Sequence, residues 1–552
     1  MRNATEFEDP LKHLPYASNA SFNASYRQYD SLCLPGTRVE VRAKINKWAN
    51  GEDKSCIFWL SGWPGTGKSA IARTIARQYD DQGQLAASFF FSRGGGDSSH
   101  AGLFVTSIAR QLGACKALDV KQHIRASMDE HSQVAFQTLQ DQWDRLILRP
   151  LLKCKKGVEV RTFLVVVDAL DECEDERSVS SLLQLLPRVG ELANVRLRIL
   201  VTSRLERPIR HGFRRMGPAA HQDFVLHHIT PEVTNKDIEV FLKHHLAEIA
   251  TECYLSSTWP GLRILSLMTD YAQGLFIWAE TACKFLAHDA GLVEERLSSL
   301  MNRNGSNITD PESHLDQIYT NILLASVPDQ CSEDEQKVIL DHLTSLLGAI
   351  IALLSTISAT ALGAILAVPT EKILRTISKL HSILDVPDDT TQPLRLHHDS
   401  FRNFLVDANR CKQHRLLIDV LKAHASLAAG SIRVMSSTLK ENICNQEMLG
   451  VLASDLGKDV VQRCISPQAQ YACMYWVSHV EKSGKRLADG DHVYKFLQQH
   501  ILHWIEAMSW MGKTPEAIKA LASLEMMTKV TADTLPLYLL LLHLQDSRLT
   551  WN

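Results

Sequence analysis

The sequence predicts an α/β fold, a parallel sheet with helices on both faces, followed by domains that are almost wholly helical. Three observations predict it. Short apolar runs alternate with helix-favouring sequence up to about residue 230; the first run passes through a glycine-rich turn straight into a helix; later runs end in carboxylate, hydroxyl or guanidinium side chains. That combination describes a sheet whose carboxyl edge carries a site.

The elements follow in order. Residues 1–32 are rich in Asn, Ser and Ala with weak periodicity, so a poorly ordered leader is expected there. Leu34-Pro35-Gly36-Thr37-Arg38 makes a turn, and Val39, Val41, Ile45 and Trp48 continue at near-helical spacing. Ile57-Phe58-Trp59-Leu60 is the first strand, and Leu85 to Phe91, bounded by glycines, reads as a second. Phe163 to Val167, Leu197 to Thr202 and Phe224-Val225-Leu226 supply three more, each separated by helical sequence.

Three motifs stand where such a sheet places its chemistry. Gly62-Trp63-Pro64-Gly65-Thr66-Gly67-Lys68-Ser69 links the first strand to a helix. Its glycines let backbone N–H groups converge on phosphate oxygens, Lys68 adds a point charge, and the Ser69 hydroxyl can join the shell of Mg²⁺. Gly62, Gly65, Thr66, Gly67, Lys68, Ser69 and Ala70 are therefore the expected nucleotide contacts. Asp168 ends an apolar strand a hundred positions later and is the expected partner of Ser69 on the metal. Asp171 and Glu172 follow, either of which could orient a water attacking the γ phosphate. In Thr202-Ser203-Arg204, Thr202 or Arg204 would face that phosphate if this strand lies between the other two functional strands.

Composition narrows the class. At 552 residues, several domains are expected; a net charge of −3 argues against broad nucleic-acid binding. Twelve cysteines without a CxxC pair fit reduced thiols in a cytoplasmic protein. Between His342 and Thr370 there is no Asp, Glu, Lys or Arg, and Leu343 to Val368 is long enough to cross a bilayer. Ser355-Thr356-Ile357-Ser358 in its middle offers helix caps, so a buried helix, turn, helix is expected instead.

With the three motifs in order, the chain resembles the NACHT family of signal-transducing NTPases, in particular its fungal NLR-like branch. GWPGTGKSAIARTIA at 62–76, the small Ala169 after the aspartate in VVVDALDEC, and VTSR at 201–204 carry the resemblance; DIEVFL at 237–242, QGLFIWAET at 273–281, LHHDSFRNFLVD at 396–407 and ILHWIEAMSWMG at 501–512 extend it. The resemblance implies an α/β P-loop NTPase followed by helical, winged-helix and α-helical domains that close over ADP and open with ATP. The corresponding boundaries are 33–230, 231–330, 331–410 and 411–552. By the same resemblance, Arg38 lies near the adenine and His398 of His397-His398-Asp399 reaches the ADP β phosphate. Leu275-Phe276-Ile277 replaces a stretch that in many relatives carries a proline beside the nucleotide, and no proline is present. Relatives carry an effector module before the switch and repeats after it. Only about thirty residues precede Leu34, and nothing after Gly512 is periodic, so the chain reads as a repeat-less short form or a truncated gene model.

The expected function is a nucleotide-dependent switch that binds ATP or ADP with Mg²⁺, with GTP left open, and hydrolyses slowly. It would self-associate on activation and recruit an unknown effector protein, in fungal innate immunity or heterokaryon incompatibility. The competing readings are a scaffold or decoy that binds nucleotide without signalling, and, more remotely, a small-molecule kinase.

Overall fold

The computed structural model describes residues 11, 14–28, 30–51, 55–154, 162–217, 219–301, 311–327, 332–387, 389–446, 457–485, 487 and 491–528. The chain divides into two compact units, Met1–Ile318 and Tyr319–Asn552.

The first unit is built on five parallel strands: β1 (Ile57–Ser61), β2 (Leu85–Phe90), β3 (Thr162–Asp168), β4 (Arg196–Ser203) and β5 (His221–Val225), in the order β2-β3-β4-β1-β5. Successive side chains leave a strand on opposite faces, so an uninterrupted apolar run requires cover on both. Phe58, Leu60, Leu164, Val166 and Leu200 pack with Val41, Ile45 and Trp48 of α1 (Val39–Asn50) and Ile71, Ile75 and Tyr79 of α2 (Lys68–Asp81). Trp59, Val165, Val167, Ile199 and Val201 belong to the other core, with Phe104 and Ile108 of α3 (Phe104–Ala114) and with Phe213, whose ring stacks on Trp59 at 4.1 Å. β4 lies between β1 and β3, as the placement of Thr202-Ser203-Arg204 required, and the register sets Leu60 beside Thr202.

Two expectations are corrected. β5 spans His221–Val225, not 224–226, because it is an edge strand whose His221, Gln222 and Asp223 face solvent in part and show no apolar run. The leader is not poorly ordered where it is described: Leu14, Ala17, Ala20 and Phe22 are buried. The Ala17 and Phe22 N–H groups donate to the Ser107 and Ser88 hydroxyls at 3.0 Å, and Phe90 N–H donates to the Ala20 carbonyl at 2.7 Å. This strap is tied down by single hydrogen bonds at irregular intervals, so it leaves no hydropathic period to read. Residues 1–10 lie outside the described residues.

After β5 come the helices Pro231–Glu252, Leu262–Ala272, Phe276–Ala287 and Val293–Met301. In the second unit, Glu333–Ala352 starts on a capping box made by Ser332 and Glu335, and Ala359–Leu366 starts on Ser358, which accepts from Ala361 N–H. The apolar stretch is thus helix, turn, helix, and no described helix is long and apolar enough to cross a membrane. Thr370–Ile377, an antiparallel pair of Leu384–Asp385 with Arg395–Leu396, and Asp399–Val406 follow, then Val420–Thr438, Pro467–Lys482 and His492–Trp510. The division after Ile318 falls inside the helical domain expected at 231–330.

Candidate functional site

The site is assembled at the carboxyl ends of β1, β3 and β4. Gly62 leaves β1, and the turn that follows bends through Gly65 and Gly67 at φ +75° and +88°, conformations that L side chains rarely adopt. At Gly65 a Cβ would also lie 2.0 Å from Ile277 Cγ2, so space as well as torsion demands glycine. The Thr66 hydroxyl closes the turn by donating to Trp63 O at 2.8 Å. The Lys68 ammonium folds back onto the Gly62 and Trp63 carbonyls at 3.0 and 2.9 Å. Helix geometry leaves the N–H groups of Lys68, Ser69 and Ala70 without intrahelical acceptors at the start of α2. Burial lowers the Lys68 pKa to about 8, against the pull of Asp171, Asp168 and Glu172 and with Arg204 adding to the depression.

Asp168 ends β3 and is 2% exposed. Thr202 donates its hydroxyl proton to it, accepts Ala169 N–H at 2.9 Å, and so joins β3 to β4 across the site. Burial raises the Asp168 pKa, while hydrogen bonds from the Thr202 and Ser69 hydroxyls, then Arg73 and Arg27, pull it back. Ser69 and Asp168, the pair expected on Mg²⁺, are therefore near enough for the hydroxyl to bear on the carboxylate. A hydroxyl and a carboxylate side by side next to a phosphate cradle are the hard oxygen donors that Mg²⁺ prefers, and the residues fit that ion.

Ala169 turns the chain at φ +53°. Asp171, just past it, takes Arg204 twice, from Nε at 3.1 Å and from the backbone N–H at 2.9 Å. Glu172 accepts Arg93 N–H at 3.1 Å, and the Arg93 guanidinium reaches Asp171 O at 3.3 Å. Of the two residues expected to face the γ phosphate, Thr202 is hydrogen-bonded to Asp168 and Arg204 is paired with Asp171.

Arg38 stands at the start of α1 with φ +53° and donates from Nη2 to Thr66 O at 2.8 Å. Its guanidinium lies 4.6 Å from the Phe276 ring centroid, and its backbone N–H is held by Asp237 at 3.1 Å. Arg38 Nε and Nη1 are buried without a hydrogen-bond partner, an arrangement suited to a ligand rich in acceptors. Ile277 N–H donates to Gly65 O at 3.1 Å, so the segment without a proline nevertheless packs directly on the loop. Residues missed by sequence reasoning are Arg93, whose loop after β2 shows only glycines, and His227, whose ring stacks on Trp63 at 4.6 Å. His398 lies in the second unit, where Nδ1 caps the helix Asp399–Val406 by accepting from Ser400 N–H at 3.0 Å.

Residues 38–204 match the family described as nephrocystin 3, N-terminal. The chain is 22% identical over 527 residues to the vegetative incompatibility protein HET-E-1 of Podospora anserina, covering 90% of this chain and 36% of that protein. It thus spans about a third of the length of this curated relative. Among solved structures, the Drosophila ORC bound to DNA aligns at 14% identity and a TM-score of 0.27, covering 65% of this chain and 91% of that one. The Aeropyrum pernix ORC1 protein in complex with DNA aligns at 13% and 0.28, covering 66% and 89%. Overlaps that loose carry no argument about the site.

Proposed function

The matches to the nephrocystin 3 family and to HET-E-1 support placing the chain in the NACHT-like NLR family, and on that premise we propose that it is a nucleotide-dependent switch of the kind at work in heterokaryon incompatibility. The observation that carries this reading is the meeting of Lys68, Ser69, Asp168 and the Asp171–Arg204 pair at one sheet edge. In this reading the loop from Gly62 to Ala70 cradles the phosphates of ATP or ADP, and Arg38 secures the nucleotide from the α1 side. Ser69 and Asp168 would hold Mg²⁺, which when bound neutralises charge on the β and γ phosphates. Arg204, fixed by Asp171, reads the γ phosphate. Asp171, paired with Arg204, or Glu172, which accepts Arg93 N–H, would orient the attacking water.

A γ phosphate can shift a closed and an open form only by its differential contacts with the two. In this reading those contacts lie at Lys68 and Arg204, hydrolysis is slow, and the nucleotide controls self-association that leads to an effector protein. Size-exclusion chromatography with light scattering tests this. A larger assembly with a non-hydrolysable ATP analogue than with ADP is expected; equal masses would favour a scaffold that binds nucleotide without switching.

A further inference from the structure

The strap formed by residues 14–28 and 30–32 does more than cover the edge strand β2. β2 pairs with β3 so that Phe90 lies beside Asp168. Two guanidinium groups sit over the Phe90 ring, Arg27 at 5.3 Å and Arg73 at 5.4 Å. Arg73 is four residues after Ser69 on α2, and the two share the helix face turned to Asp168. Its fork is held by the strap: Nη2 bonds Asp30 Oδ2 and Nη1 donates to Ser31 O at 3.3 Å. Asp30 also takes Arg27 Nη1 at 3.4 Å, and Arg27 Nη2 donates to Phe90 O at 2.7 Å. Arg73 is 7% exposed, and its Nε is buried without a partner.

A buried guanidinium needs a carboxylate. The two carboxylates whose charges bear on Arg73 are Asp30 and Asp168. We propose that Asp30 is a latch on Arg73 that keeps the Asp168 carboxylate available to a divalent cation, so that the N-terminal strap belongs to the metal site. With Asp30 in place the fork points to the strap. Without it the fork turns to Asp168 and competes with the cation. Anything that lifts the strap would do the same, which gives the segment before the sheet a route to the nucleotide. The inference rests on Asp168 being the magnesium carboxylate.

The test uses the full chain with mant-ADP and Mn²⁺, the bound metal being counted by electron paramagnetic resonance. Asp30→Asn should weaken Mn²⁺ binding to the mant-ADP complex about tenfold or more, since a close charge pair ranges from a severalfold effect in bulk water to a far larger one near a protein surface, and leave mant-ADP affinity in EDTA unchanged. Adding Arg73→Gln to Asp30→Asn should restore the wild-type Mn²⁺ affinity. Arg73→Gln alone should bind Mn²⁺ at least as well as wild type, a result that a merely structural strap would not give. Wild-type Mn²⁺ affinity in Asp30→Asn, no recovery in the double variant, or a fall in Arg73→Gln would each overturn the latch alone. Failure of the wild type to bind mant-ADP in EDTA would overturn both the latch and the switch reading beneath it.

Discussion

Arg204 is clamped by Asp171, its Nε 3.1 Å from Oδ2 and its backbone N–H 2.9 Å from Oδ1, so the turn after β3 and the end of β4 share one carboxylate. The Asp171 side chain is almost fully buried and the Arg204 side chain mostly so. Breaking such a pair leaves a charge without compensation.

Asp171→Asn should therefore destabilise the chain by about 3 kcal/mol. Arg204, no longer fixed, should also lose its preference for a triphosphate analogue over ADP. Urea denaturation measures the first effect and paired titrations with the two nucleotides the second. Unchanged discrimination would mean that Arg204 does not read the γ phosphate.

Thr202 joins Asp168 to Ala169 N–H through one hydroxyl. Thr202→Val keeps the shape and removes both bonds, which should cost about 1–3 kcal/mol. Thr202→Ser should retain most of the stability. Thermal unfolding with and without Mg²⁺–ADP compares them, and equal stability of the valine and serine variants would contradict the bridging role.

Gly65 and Gly67 both have positive φ, but only Gly65 is pressed by a neighbour, Ile277. Gly67→Ala should suffer only the torsional penalty of about 1–2 kcal/mol. Gly65→Ala adds a collision and should displace the helix Phe276–Ala287 from the loop or unravel the loop itself. Nucleotide retention should fall much further for Gly65→Ala, and hydrogen exchange over residues 276–287 should rise. Equal effects would mean that the Ile277 contact is incidental.

In the second unit, His479 is buried between His424 Nδ1 and Tyr471 OH, each 2.8 Å from one of its ring nitrogens. Burial, then His424 and Lys482, lowers its pKa to about 3. The native state therefore binds fewer protons than the unfolded state between about pH 3 and the ordinary histidine value. Stability should fall as pH drops through that window, with a slope of up to about 1.4 kcal/mol per pH unit. His479→Gln should be less stable at neutral pH and show a flatter acid limb; an identical acid limb would place the titration elsewhere.

The sheet and the three motif-bearing strand ends were legible because unbroken apolar runs such as Phe163 to Val167 admit few structures, and because the motif side chains follow those runs directly. The helix, turn, helix at 343–368 was legible for a similar local reason, since Ser358 is a good cap. What escaped depends on tertiary contact. Asp30 and Arg27 are ordinary surface residues until the strap lies along β2. Arg93 acquires a role only when its loop folds over Asp171 and Glu172, and Ile277 only when a helix far along the chain meets Gly65. None of these contacts leaves a period or a motif.

The proposed switch requires a nucleotide held where β1 hands over to α2, with Lys68 as its principal charge. Mass spectrometry of the nucleotide that copurifies with the full chain tests it most directly. ATP or ADP near one equivalent is predicted for the wild type and its near-complete loss for Lys68→Ala, with the fold retained by circular dichroism. Full occupancy in Lys68→Ala, or a folded wild-type chain that carries no nucleotide and binds none when it is added, would contradict the account.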